Sequence, residues 1–256
     1  MKKTMKGLLL ATGVSLAIAA CATDTGANSA NKAKGPADKQ MASSVPLNFD
    51  YPIDIAQETS NGHTIGILAP HIQVSENLQS YAQQFQEALV KQIQDIFQKR
   101  GYQVVRFTEA QALTPEQKHK IWAVLDMRGW MGILEDIKMN TNAPEESNTD
   151  TMVDQSSGSV WFKFFEPETG RVIHNFAVEV GTEKAITHTY TYKATNSGGF
   201  AGSGATSHTE LDKNRGDAIH KILNKMYIVV MKKLVSELTD TNINRYRKAI
   251  EKIKSK

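Results

Sequence analysis

The sequence predicts an α+β domain: a mixed or antiparallel sheet with long helices packed on one face, in two layers. Three observations carry that prediction. A strand, a long amphipathic helix and a second strand follow one another with short links between residues 64 and 107. Strand-like runs separated by turn signals occupy residues 121–193. Two further amphipathic helices end the chain.

The elements are justified in chain order. Lys2, Lys3 and Lys6 precede an apolar run, Gly7 to Ala20, that Thr12, Gly13 and Ser15 interrupt. A bilayer-spanning helix needs about 20 apolar residues, so residues 1–20 read as an export signal rather than an anchor. The chain has 30 basic and 27 acidic side chains and one cysteine. Its basic excess sits in the signal segment and the rest is balanced, which removes global cationic character as an argument for nucleic-acid binding, and no nucleic-acid partner is expected. The cysteine, Cys21, directly follows Ile18-Ala19-Ala20. One cysteine excludes an intramolecular disulfide. The arrangement resembles the bacterial lipobox, which implies acylation of Cys21, with palmitate-like chains, and cleavage before it. One acyl chain holds a protein marginally and two or more hold it stably. Ala22, not Asp, follows, and by analogy with enterobacterial sorting this implies the outer membrane.

Residues 21–45 combine the cysteine with Ala, Ser, Thr, Asn, Gly and Lys. Such composition buries too little apolar surface to offset chain entropy. It reads as a flexible tether with a reach of roughly 25–30 Å. Residues 46–256 then form a single domain, long enough to fold without disulfide or metal.

Within that domain, Leu47, Phe49, Tyr51 and Ile53 alternate and predict a strand over 46–55. Thr64–Pro70 is a nearly continuous apolar run and predicts a central strand. Phe85, Leu89, Ile93 and Ile96 fall at helical spacing, with Ser75 as N-cap and Gly101 just past the end. Tyr102–Phe107 predicts the parallel return strand of a βαβ unit. A short helix near 114–120 starts with Pro115. Two strands, 121–127 and 130–137, are expected to join near Arg128-Gly129, and 141–158 is polar and turn-rich. Ser159–Phe165 and Val172–Val180 predict a hairpin around Pro167 and Gly170. Ile186–Lys193 alternates and predicts a strand, and 195–209 reads as a Gly/Ser-rich loop. Helices are expected at 217–238 and 242–254.

An ordered set of stretches resembles one family. It comprises Val45-Pro46-Leu47-Asn48-Phe49-Asp50-Tyr51-Pro52, Val74-Ser75-Glu76-Asn77, Lys99-Arg100-Gly101-Tyr102, Trp122-Ala123-Val124, Phe165-Glu166-Pro167, Ser197-Gly198-Gly199-Phe200 and Asp217-Ala218-Ile219. The set is similar to the neuraminyllactose-binding haemagglutinin family of lipoproteins. The resemblance implies an outer-membrane, cell-surface adhesin that binds sialylated host glycans. The family's proposed sugar motif is a short basic run, Lys-Arg-x-x-x-Lys-Lys. The corresponding stretch here, Glu135–Asn140, keeps one lysine, Lys138, among two acids.

Other chemistry is sparse. The seven histidines form no HxxxH or HExxH pair, and no metal or cofactor is expected. No Gly-x-Ser-x-Gly elbow is present, so no enzyme is expected. Trp122, Trp130 and Trp161 lie in strand-like runs and are expected to pack in the core, with sugar stacking as the other reading. Tyr190 and Tyr192 alternate with threonines and can present an aromatic, hydroxyl-bearing face to a glycan. The last helix is basic, and Arg245, Arg247, Lys248 and Lys252 are candidates for anionic lipid contact. The alternative to adhesion is a periplasm-facing envelope lipoprotein that docks another envelope protein.

Overall fold

The computed structural model describes residues 43–139, 148–194, 205–210 and 215–255, and their side chains except at 136–139, 148–152, 186–194, 205–210 and 215. All of them belong to a compact unit that runs from residue 40 to the C-terminus. The expected α+β architecture is present, with eight strands in one mixed sheet among the described residues.

The βαβ unit forms as the periodicity predicts. β1 (Thr64–Leu68) lies parallel to β3 (Gln103–Phe107), with α1 (Gln79–Lys99) between them in sequence. A short strand not expected from the sequence, β2 (His71–Val74), and a 3-10 turn at Glu76–Leu78 precede the helix. α1 buries Phe85, Leu89, Val90, Ile93, Ile96 and Phe97, the face that 3.6-residue spacing selects. α2 (Pro115–Lys120) starts as expected at Pro115, and Thr114 and Gln117 close a reciprocal capping box.

The longest strands are β4 (Ile121–Met139) and β5 (Asn148–Phe165). They correct two expectations. Residues 121–137 are not two strands joined at Gly129, and residues 148–158 are strand rather than turn. Gly129 sits in the strand interior because a Cβ there would lie 2.4 Å from the Ser159 carbonyl oxygen of β5. Gly158 has φ +133°, and its Cβ would lie 2.1 Å from the Trp130 carbonyl oxygen. These glycines mark close backbone approach, not a break. β4 and β5 pair antiparallel from Val124↔Phe165 to Met139↔Asp150.

β6 (Val172–Glu179) pairs with one half of β5, and β7 (Lys184–Ala194) with the other. β8 (Ala205–Glu210) borders β7, so part of the expected Gly/Ser loop is strand. The order is β3-β1-β4-β5-β7-β8, with β2 beside β4 and β6 beside β5. β4 therefore joins a parallel part, built on β1 and β2, to an antiparallel part.

α3 (Arg215–Glu237) and α4 (Asp240–Lys254) follow, α4 capped by Thr239. Their buried residues, among them Ile222, Tyr227, Leu234, Tyr246 and Ile250, join those of α1 in one core against Ile65, Leu125, Met127, Phe162 and Phe164 of the sheet. A small cluster of Leu68, Leu113, Ile121 and Val124 packs on the opposite sheet face.

The predicted strand over 46–55 is absent, and the physical reason is specific. Leu47, Phe49, Tyr51, Ile53 and Ile55 do turn toward the core at every second residue. The segment lies on α1 and α3, however, not on a sheet edge. Phe49 packs against Phe85 of α1 and Tyr227 of α3, with ring centroids at 5.2 and 5.3 Å. Helix side-chain amides replace a partner strand. Gln92 accepts from the Tyr51 N–H at 3.1 Å and donates to the Tyr51 carbonyl at 2.9 Å. Asn224 accepts from the Asn48 N–H at 2.7 Å and donates to the Pro46 carbonyl at 2.9 Å. Each amide pairs with both polar groups of the chain as a neighbouring strand would. The segment is a strap across the outer side of the helical layer.

Candidate functional site

The sheet face away from α1, α3 and α4 carries the candidate site. Strand alternation builds it. On β5, Val160, Phe162 and Phe164 point into the core, so Trp161 and Lys163 point out. On β4, Met127 and Met131 are buried, which leaves Arg128 and Trp130 outward. Trp161 is 51% exposed and Trp130 37%, whereas Trp122 is buried at 7%. The expectation that all three tryptophans pack in the core therefore holds for Trp122 alone. Gly132 gives Trp130 its position: a Cβ at residue 132 would lie 2.6 Å from the far edge of the indole. The ring lies flat along the strand because that residue has no side chain.

The register sets the charges beside the rings. Arg128 stands opposite Trp161, and Asp126 opposite Lys163. Asp126 is 4% exposed and accepts from Arg128 Nε at 3.1 Å and from Lys163 Nζ at 3.2 Å. Both cations remain accessible to solvent, with 67% and 45% of their side-chain surface exposed. Lys163 also reaches over the Phe165 ring, 5.4 Å from its centroid. Asn175 and Ala177 of β6 complete a groove of about 350 Å³. Two cations on one carboxylate leave the groove with a positive excess next to an open aromatic face. That combination can hold an anion and an apolar ring surface at once.

The residues expected to bind from sequence fall elsewhere. Cys21 lies outside the described residues, as does the Gly-rich run 197–204. Lys138, near the end of β4, shares a cross-strand row with Thr151 and Thr189. Tyr190 shares the next row, with Asp150 and Met139. The candidates Arg245, Arg247, Lys248 and Lys252 lie on α4, and the structure divides them. Arg245, Lys248 and Lys252 are exposed. Arg247 turns inward, its terminal nitrogen 3.4 Å from the Tyr102 hydroxyl. Lys254 is also spent, at 3.4 Å from Glu166 and 3.2 Å from Glu168.

A larger cleft of about 640 Å³ lies between the strap and α4. Its Arg100 is already held by Glu58 and Asp240. Among the described residues no group of three His, Cys, Asp or Glu side chains could hold a metal ion, and no helix is long and apolar enough to cross a membrane.

The fold and this face define a class: an α+β domain that displays an aromatic and cationic sheet face. Comparison with known proteins narrows the class to a family. A family model described as neuraminyllactose-binding hemagglutinin precursor matches residues 3–256. Neuraminyllactose-binding hemagglutinins from two strains of Helicobacter pylori are each 25% identical over 201 residues, covering 74% of this chain and 76% of theirs. A solved hemagglutinin homolog from Helicobacter pylori has 27% identity and a TM-score of 0.66, over 81% of this chain and 100% of that one. The chain belongs to the neuraminyllactose-binding hemagglutinin family.

Proposed function

We propose that this protein is a lipid-anchored, cell-surface protein of the outer membrane that acts by binding rather than catalysis, and that it holds sialylated glycans on its open sheet face. The observation that carries the reading is the half-exposed indole of Trp161 directly across from Arg128. An indole face packs against the apolar C–H face of a sugar ring. A guanidinium makes charge-assisted, two-pronged bonds to a carboxylate such as that of sialic acid. Asp126 engages Arg128 through Nε, and this leaves the terminal nitrogens for a ligand. Trp130, one outward row along the strands, offers a second stacking surface to an oligosaccharide. The names of the relatives support the ligand class. The site itself is distinct from the stretch around Lys138 that corresponds to the family's basic sugar motif.

The test is a titration of sialyllactose and of lactose against the protein, followed by tryptophan fluorescence. Trp161→Ala is expected to weaken both ligands by about tenfold, the order of a lost aromatic contact. Arg128→Ala is expected to weaken sialyllactose and leave lactose unchanged. Undiminished sialyllactose binding by both variants overturns the site.

A further inference from the structure

We propose that the exposed stripe of α3 formed by Lys221, Lys225, Ile228 and Lys232 is the surface that lies against an anionic membrane. The inference rests on the reading of Cys21 as the acylated residue. All four side chains are exposed, Ile228 at 46%. Their spacing of four, three and four residues places them on one helical face. Lys225 reaches Glu183 at 3.0 Å, so the stripe keeps a positive excess around an apolar centre.

The strap shows where the chain leaves the domain. Its first residues are gripped at the N-terminal turn of α3. Asp217 accepts from the Ser43 hydroxyl at 2.5 Å, the Ser44 hydroxyl at 2.7 Å and the Val45 N–H at 2.9 Å. One turn on, the His220 ring donates to the Val45 carbonyl at 2.6 Å. The other end of the strap meets Arg100 at Glu58, and Arg100 also holds Asp240 at the start of α4. The described chain thus begins, at residue 43, beside the α3 stripe, while α4 lies at the far end of the strap. Two of the basic side chains on α4, Arg247 and Lys254, are also turned onto protein partners. Near an anionic surface each lysine favours association by about fivefold. The Trp161 groove lies on the opposite side of the sheet from the helices. Docking through α3 therefore leaves that groove open to solution.

The acylated protein is reconstituted in vesicles of phosphatidylcholine alone and of phosphatidylcholine with phosphatidylglycerol, and its lysines are acetylated and read by mass spectrometry. Labelling of Lys221, Lys225 and Lys232 is expected to fall about fivefold or more on the anionic vesicles and to recover in high salt. Lys118 and Lys120 of α2 serve as unprotected references. In the double variant Lys221→Glu, Lys232→Glu, Lys225 is expected to label equally on both vesicles. If the protein floats with both vesicles and the three lysines label equally, the proposal is overturned. Protection of Lys248 and Lys252 instead overturns it in favour of α4. If the protein floats with anionic vesicles alone and Lys221, Lys225 and Lys232 are protected, the acyl anchor fails and the stripe stands; if it floats with neither, both fail.

Discussion

Trp161 stands half out of the sheet between two fully buried neighbours, Val160 and Phe162. Its position follows from alternation once the strand is known, but the sequence did not say which face of β5 the helices would cover. The same alternation aims Asp154 inward. It is 1% exposed, and its Oδ1 has no hydrogen-bond partner among the described residues. Burial pushes its carboxyl up to about 6. A folded-state value above the unfolded one means that the native state holds the extra proton between about pH 4 and 6. Stability contributed by that proton is complete below the unfolded value and is lost as pH rises to 6. At 1.36 kcal/mol per unit this amounts to about 3 kcal/mol. Asp154→Asn is therefore expected to raise stability above pH 6 by ~2–3 kcal/mol, and to flatten the fall between pH 4 and 6 in urea titrations. An unchanged pH profile would show that Asp154 is not the group responsible.

At the scale of elements, the helices were the most legible part. α1, α3 and α4 bury the residues that 3.6-residue spacing selects, and only their ends shifted. The strap is the instructive failure. Leu47, Phe49, Tyr51 and Ile53 alternate as a strand does, and that alternation is real in the structure. Periodicity reports which residues face the core, however, and not what satisfies the backbone. Here Gln92 and Asn224, distant in sequence, supply the pairing. Gln92 is 6% exposed and also accepts from the Tyr227 hydroxyl at 2.8 Å. Burial, with Asp50 and Asp95 nearby, holds the Tyr227 phenol well above its ordinary range, so it donates this bond at any ordinary pH. Gln92→Leu would strand the Tyr51 N–H, the Tyr51 carbonyl and the Tyr227 hydroxyl. The expected cost is about 2–4 kcal/mol of stability, with faster proteolytic cutting inside residues 43–62. Equal cutting rates in the variant would mean that hydrophobic contact alone holds the strap. β4 failed differently. Gly129 looked like a turn because glycine serves both turns and close contacts, and only the Ser159 carbonyl on β5 distinguishes the two.

For the whole molecule, strap and sheet give the domain a direction. Residues 43–45 are held on the helical side, at the first turns of α3, and the aromatic groove opens on the other. Cys21→Ser is expected to remove the mature, acylated protein from the outer-membrane fraction. Unchanged fractionation would remove the lipid anchor from this account. If the glycan reading holds, whole cells carrying Trp161→Ala are expected to lose haemagglutination while keeping the protein in the membrane, measured by agglutination and immunoblot side by side.

The sequence by itself determined the fold class, the amphipathic helices, the β5–β6 hairpin and the family, because these rest on local periodicity, turn chemistry and an ordered set of short stretches. It also marked Cys21 and the basic last helix, since both are features of composition. The tertiary structure alone decided which tryptophans are exposed, which cations are already spent and what holds the strap. Each of those depends on residues far apart in the chain that meet only through strand register and helix packing. Lys138 and Arg128 show the difference. Both are cations on β4, yet only Arg128 is placed by the β4–β5 register directly across from an exposed indole.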